Sequence, residues 1–116
     1  MNENDLFRQV DPTGYEVALS SNQYKEHIQD RHPEIEPEHI RQVIKDPKFI
    51  YKGTEANTRE YFGNSVRYMK YMTQVSVAEF EDVGDVRTAY TTKHVGKNVV
   101  PPEEGGLLYV GVSNKL

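Results

Sequence analysis

The sequence predicts an α+β domain in which two N-terminal helices pack on one face of a four- or five-stranded antiparallel sheet. The first observation is a pair of short segments, 21–32 and 37–46, that carry helix-start and helix-stop signals. The second is a change of apolar period from 3.6 to 2 after Pro47. The third is a length of 116 residues, which suits one domain with a single core.

The first helix is predicted over 21–32. Ser20 is a favourable N-cap residue, and Gln23, three positions later, completes a capping box. The helix ends before Pro33, because a residue that precedes proline is disfavoured in the helical conformation. The same signals predict a second helix over 37–46, which starts with a proline at its first position and ends before another.

Five strands are predicted from alternating apolar residues separated by turn residues. Taken together, these alternating runs favour an antiparallel meander. Residues 1–18 show no clear periodicity and are expected to be an irregular segment, followed by a core over 19–95 and then a loop and final strand over 96–116. The predicted strands cover 49–51, 59–62, 68–80, 86–93 and 107–112.

The composition of the chain disfavours several classes of function. The formal net charge of −4 disfavours a general nucleic-acid binder, although 87–97 holds three basic residues and a histidine without an acid. No apolar run approaches the roughly 18 residues of a membrane span, and the first residues lack a secretory signal, so we expect a cytoplasmic protein without membrane contact. The chain has no cysteine and no nucleotide-binding or metalloprotease motif, so we expect no cofactor and no metal site.

The stretch EHIQDRHP, 26–33, concentrates groups that move protons or bind phosphate. His27 and Arg31 are four residues apart and share one side of a helix, and His32 lies at the end that the proline fixes. An imidazole can act as general acid or base, and a guanidinium can bind a phosphate through two hydrogen bonds. The alternative is that these side chains only interact with the helix dipole and cap the last carbonyl groups.

A second polar group lies in the predicted strand 86–93, VRTAYTTK. Alternate hydroxyl side chains share one side of this strand, and we expect them to face the first helix. Ordinary β-propensity is the alternative explanation for so many threonines and tyrosines. The group comprises Thr88, Tyr90 and Thr92 with the bases Arg87 and Lys93, and Arg59 and Tyr61 are additions expected from the preceding hairpin.

Three motifs in this order resemble a known family. Arg31-His32-Pro33-Glu34 ends the first helix, Arg59-Glu60-Tyr61-Phe62 forms an aromatic hairpin strand, and Thr88-Ala89-Tyr90 lies in a late strand. This arrangement resembles the phage-associated branch of the Barnase–EndoU–colicin–RelE-like nuclease superfamily. The resemblance covers about 20–95.

The resemblance implies a small ribonuclease that cleaves RNA through its own 2′-hydroxyl without a metal, either a toxin or a phage-associated nuclease. It implies RNA as substrate and a cognate antitoxin or immunity protein as partner. A non-catalytic binding module of the same fold, such as a phage accessory protein, is the alternative. The implied catalytic residues are His27, Arg31, His32, Thr88 and Tyr90, and the expected substrate-binding residues are Arg59, Tyr61, Arg87, Thr92 and Lys93.

Overall fold

A computed structural model describes residues 4–65 and 70–111. One seven-stranded sheet with strand order β1-β2-β6-β5-β4-β3-β7 forms the centre of the structure. Every neighbouring pair is antiparallel except β2 and β6, which run parallel. The strands are β1 (Asp5–Val10), β2 (Glu16–Ser20), β3 (Phe49–Lys52), β4 (Thr58–Asn64), β5 (Met72–Ala78), β6 (Val83–Thr92) and β7 (Leu107–Val110).

The predicted fold class is wrong in its sheet and in its N-terminal segment. The stretch expected to be irregular forms the β1–β2 hairpin, so two strands precede the first helix and the sheet is mixed. The turn between these two strands shows why residues 1–18 form a hairpin and not an irregular segment. The Asp11 carboxylate accepts the backbone N–H groups of Thr13 and Tyr15 at 2.7 and 3.1 Å, and Gly14 takes a φ of 93°. An aspartate and a glycine at these positions are strong turn signals.

The helices are shorter than predicted. Helix α1 comprises Ser21–Tyr24 and continues as one π-helical turn over Lys25–Gln29, and α2 comprises Pro37–Lys45. The predicted cap is confirmed, since the Ser20 hydroxyl accepts the backbone N–H of Gln23 at 3.1 Å. No helix among the described residues is long and apolar enough to cross a membrane.

All five predicted strands correspond to observed strands with shifted ends. The fourth begins earlier than predicted, at Val83, and the last ends at Val110, while residue 112 of its predicted range lies outside the described residues. The long strand predicted over 68–80 is observed as Met72–Ala78, and the part of that prediction at 68 and 69 lies outside the described residues.

The sheet has two different faces. The face covered by the helices, called the helix face, carries Tyr61, Val75, Val77 and Ala89, and all four are fully buried in the main core. The opposite face is called the loop face, because the loop 94–101 covers part of it. There Val99 packs with Tyr51 and Phe62 in a second apolar cluster. On β4, β5 and β6, the residues between these core positions therefore point to the loop face. They include Glu60, Gln74, Ser76, Thr88 and Tyr90.

Candidate functional site

A cleft forms where the first helix lies beside the edge of β6. Strand β2 pairs with β6 only between Glu16–Ala18 and Val83–Asp85, and the chain then turns into helix α1. Along this edge, the rest of β6 therefore has the helix, and not a strand, as its neighbour, while its other edge pairs with β5. The Gln23 side-chain amide fixes this arrangement by donating to the backbone carbonyl of Arg87 at 2.5 Å.

The cleft has a volume of about 330 Å³ and brings together groups from both predicted motifs. His27 and Arg31 come from the helix segment, and Arg87 and Thr88 come from β6. The fifth lining residue is Gln23, so the lining contains two guanidinium groups and no carboxylate. Such a lining attracts an anion, and paired guanidinium groups suit a phosphate in particular.

His32 and Tyr90 lie next to each other near this cleft, with ring centroids 6.3 Å apart. Burial and the nearby Glu60 carboxylate raise the pKa of the Tyr90 hydroxyl, which therefore stays protonated and able to donate. On its other side His32 has a carboxylate, since Nδ1 lies 3.9 Å from Oε2 of Glu34.

The structure does not bring Arg59 and Tyr61 to the cleft. Both point to the helix face, where the Tyr61 hydroxyl donates to Oδ2 of Asp11 at 2.5 Å. The Arg59 guanidinium contacts the same Asp11 oxygen at 3.2 Å and Glu79 at 2.5 Å. These side chains hold the β1–β2 turn against β4 and β5, so their expected substrate-binding role has no geometric basis here.

The other two expected substrate-binding residues do not line the cleft. The Thr92 hydroxyl donates to the backbone carbonyl of His94 at 3.1 Å. The Lys93 ammonium group lies 5.4 Å from the centre of the Tyr71 ring. Thr92 shares the loop face with Thr88 and Tyr90, but it lies at the far end of β6.

A second cavity of about 240 Å³ adjoins the cleft, and Arg87 and Thr88 line both. Its floor is the loop face of the central strands, where Glu60, Ser76 and Thr88 stand directly opposite one another on β4, β5 and β6. The remaining polar walls come from the β3–β4 connection and from the loop 94–101. These wall residues are Thr54, Glu55, Thr58 and Asn98.

Glu60 is a functional candidate that the sequence analysis missed. Its side chain is buried, with 4% of the residue exposed, and Oε1 accepts hydrogen bonds from Gln74 Nε2 and Ser76 Oγ, both at 2.6 Å. Burial raises the pKa of this carboxyl, the two hydrogen bonds oppose the rise, and Glu55 adds to it. One signal in the sequence could have identified Glu60. Polar residues occur at alternate positions of two adjacent strands, and such a pattern indicates that one face of the sheet is polar.

Fold and cleft together define a small α+β protein with an open cationic cleft at the helix-bordered edge of a mixed sheet. Among residues 4–65 and 70–111, no group of three or more histidine, aspartate or glutamate side chains is placed to hold a metal ion. Comparison of the chain with protein-family models, curated proteins and solved structures found no match.

Proposed function

We propose that the protein is a small ribonuclease that cleaves RNA through the 2′-hydroxyl group without a metal. The observation that carries the proposal is the cleft in which His27, Arg31 and Arg87 converge. This reaction needs proton transfer and stabilisation of a negatively charged phosphorane, and it needs no protein nucleophile. Imidazole and guanidinium groups are suited to these two tasks.

The two arginines bind the scissile phosphate from opposite walls of the cleft. Arg31 projects from the helix segment and Arg87 from β6, so a phosphate between them contacts both guanidinium groups. As the phosphorane forms, negative charge grows on its non-bridging oxygens, and the cationic walls stabilise it more strongly than the ground state. Thr88, on the same wall as Arg87, provides a hydroxyl to orient the phosphate.

His27 and His32 are the proton carriers in the proposed reaction. One neutral imidazole removes the proton of the 2′-hydroxyl, and the oxygen attacks phosphorus as the bond from phosphorus to the 5′-oxygen breaks. The second group, an imidazolium or the Tyr90 hydroxyl, gives its proton to the leaving 5′-oxygen. The products are a 2′,3′-cyclic phosphate and a 5′-hydroxyl end. The Glu34 carboxylate lies 3.9 Å from His32 Nδ1, where it can orient the His32 ring.

Binding of an RNA backbone without cleavage is the second candidate function. It is favoured by one observation: the His27 side chain is exposed and makes no hydrogen bond to a described residue that would fix its ring. Catalytic bases are normally oriented by a third group. In that function Arg31 and Arg87 bind phosphate, and the histidines add charge only when protonated.

The test is incubation of purified protein with a mixed RNA pool in EDTA, with analysis of the product ends. We expect cyclic phosphate ends, and a rate lowered by roughly 10²–10⁴ in His27→Ala, the usual contribution of a positioned acid or base. His94→Ala is the matched control, because His94 is exposed and lines neither cavity. Equal cleavage by wild type and by a variant lacking both His27 and His32, or cleavage that chelator abolishes, would reject the mechanism. RNA binding without cleavage would favour the second function.

A further inference from the structure

We propose that Gln23 is a positioning residue, which aims the Arg87 guanidinium at the phosphate by holding an irregularity of β6 in place. The irregularity is a one-residue β-bulge, and the Gln23 side chain bonds to it from the opposite wall of the cleft. This role of Gln23 rests on the proposed function, because it requires the contact between Arg87 and the phosphate. It adds the means by which the fold directs that side chain.

The pairing of β5 with β6 shifts by one residue beside the cleft. Ser76 pairs with Thr88. The next residue of β5, Val77, pairs with Val86, so Arg87 is the extra residue on β6. A bulge of this kind bends its strand and changes the direction of a side chain, and bulges are common next to active sites.

The bulge keeps Arg87 out of the core. Side chains two positions apart on a regular strand share one side, and Ala89 is fully buried on the helix face. On a regular β6, Arg87 would therefore point into the same core. The extra residue places Val86 in the core instead, with 2% of the residue exposed, whereas Arg87 is exposed and lines the cleft.

Gln23 is placed to stabilise this bulge. The pairing of β2 with β6 ends at Asp85, so the carbonyl group of the extra residue has no strand beside it along the cleft edge. The Gln23 amide donates to this carbonyl group of Arg87 at 2.5 Å. The bond joins the two walls of the cleft and fixes the peptide group that follows the Arg87 side chain. Without the bond, the bulge can shift along β6, and Arg87 loses its fixed direction toward the cleft.

The test is a double-mutant cycle on the binding of a single-stranded DNA oligonucleotide, which lacks the 2′-hydroxyl and is not cleaved. Gln23→Met removes the donor and keeps the length of the side chain. We expect it to weaken binding roughly 2- to 10-fold, the usual effect of one hydrogen bond. It should have no measurable further effect in an Arg87→Ala background and its full effect in an Arg31→Ala background. Equal weakening in all backgrounds would overturn the role, because Gln23 would then contact the nucleic acid directly.

The salt dependence of binding gives a second readout. Gln23→Met changes no charge, yet it should reduce the slope of log affinity against log salt concentration by about 0.7, the value of one phosphate contact on a single strand. Ser20→Ala is the matched control, because it removes the helix cap and leaves the Gln23 amide in place. An unchanged slope in Gln23→Met would overturn the role. So would an equal loss of affinity and slope in Ser20→Ala, because general loosening of the helix would then explain both variants.

Cleavage assays distinguish failure of this role from failure of the proposed function. The expected binding cycle without any RNA cleavage would support the role of Gln23 and reject the ribonuclease. RNA cleavage by the wild type that Gln23→Met leaves unchanged, together with unchanged DNA affinity, would overturn the role and keep the ribonuclease. A wild type that neither binds DNA nor cleaves RNA would overturn both.

Discussion

Replacing Tyr61 by phenylalanine removes a single hydroxyl group from the core. Tyr61 is fully buried, and the Asp11 side chain that accepts its hydrogen bond has no solvent exposure. Asp11 keeps Arg59 at 3.2 Å and its backbone donors, so the variant loses one hydrogen bond to a charged group. Such a bond contributes about 1.5–3 kcal/mol to the free energy of unfolding. For a domain of this size we expect the melting temperature to fall by roughly 5–15 °C.

The same substitution should change the response to alkali. Burial and the hydrogen bond to Asp11 raise the pKa of Tyr61 well above the ordinary value of 10.0. A group with a raised pKa in the folded state contributes stability that is complete below its unfolded pKa and is lost as the pH rises above it. Wild-type stability should therefore decline above about pH 10. Tyr61→Phe should show a shallower decline, so the two curves should converge.

Urea denaturation from about pH 8 to about pH 11 measures both effects. Tyr109→Phe is the control, because Tyr109 packs against the same core and its hydroxyl makes no hydrogen bond to a described residue. Equal stability of Tyr61→Phe and wild type at neutral pH would refute the reasoning, and so would an unchanged alkaline slope. RNA cleavage by Tyr61→Phe should remain at the wild-type rate at temperatures where it is folded. A specific loss of cleavage would restore the substrate-binding role that its sequence position predicts.

Three further predictions concern single positions. Arg31→Ala should weaken RNA binding in a filter-binding assay but change the free energy of unfolding by less than about 1 kcal/mol, because Arg31 is exposed in the turn that follows the helix segment; a large loss of stability would contradict this. Burial lowers the pKa of His39 below 6.5, so the stability that is complete above pH 6.5 should be lost as the pH falls from 6.5 through the lowered pKa. Urea titrations of His39→Gln should therefore show that its stability depends less on acid pH than the stability of the wild type. Gly63→Ala should cost about 1–3 kcal/mol in thermal melts, because the added Cβ would lie 2.9 Å from Val43 Cγ2; an unchanged melting temperature would show that Val43 moves freely.

Local signals in the sequence were sufficient for the helix starts and for most strands. The Ser20 cap and the proline that begins α2 act within one turn of the chain, and the structure contains both. The N-terminal hairpin was missed because its first strand is only partly buried, with exposed and half-buried residues alternating along Asp5–Val10. Its place in the sheet depends on pairing with β6, and no local pattern encodes a parallel partner so far away in sequence.

The cleft was predicted in part. Helical spacing placed His27 beside Arg31, and strand alternation placed Thr88 and Tyr90 on one side, which are short-range properties. Arg59 and Tyr61 were wrongly assigned to the same site. Strand alternation shows which residues share a side of one strand, but it does not show which side faces the helices once the strands form a sheet. Register decides this, since Tyr61 pairs with Val75 on the helix face. The same one-residue offset puts Glu60 on the loop face.

The pairing of β2 with β6 also determines when the cleft can form. Both walls of the cleft are in place only after Glu16 pairs with Val83 and helix α1 contacts the middle of β6 at Arg87. Contacts between segments so distant in sequence form late, because closing a long loop costs entropy before any contact compensates for it. During synthesis, the helix that bears His27 leaves the ribosome long before β6 does. A growing chain therefore carries half of the cleft and no completed site. Under the proposed function, the machinery that makes the chain is not exposed to cleavage until nearly all of the sheet has emerged.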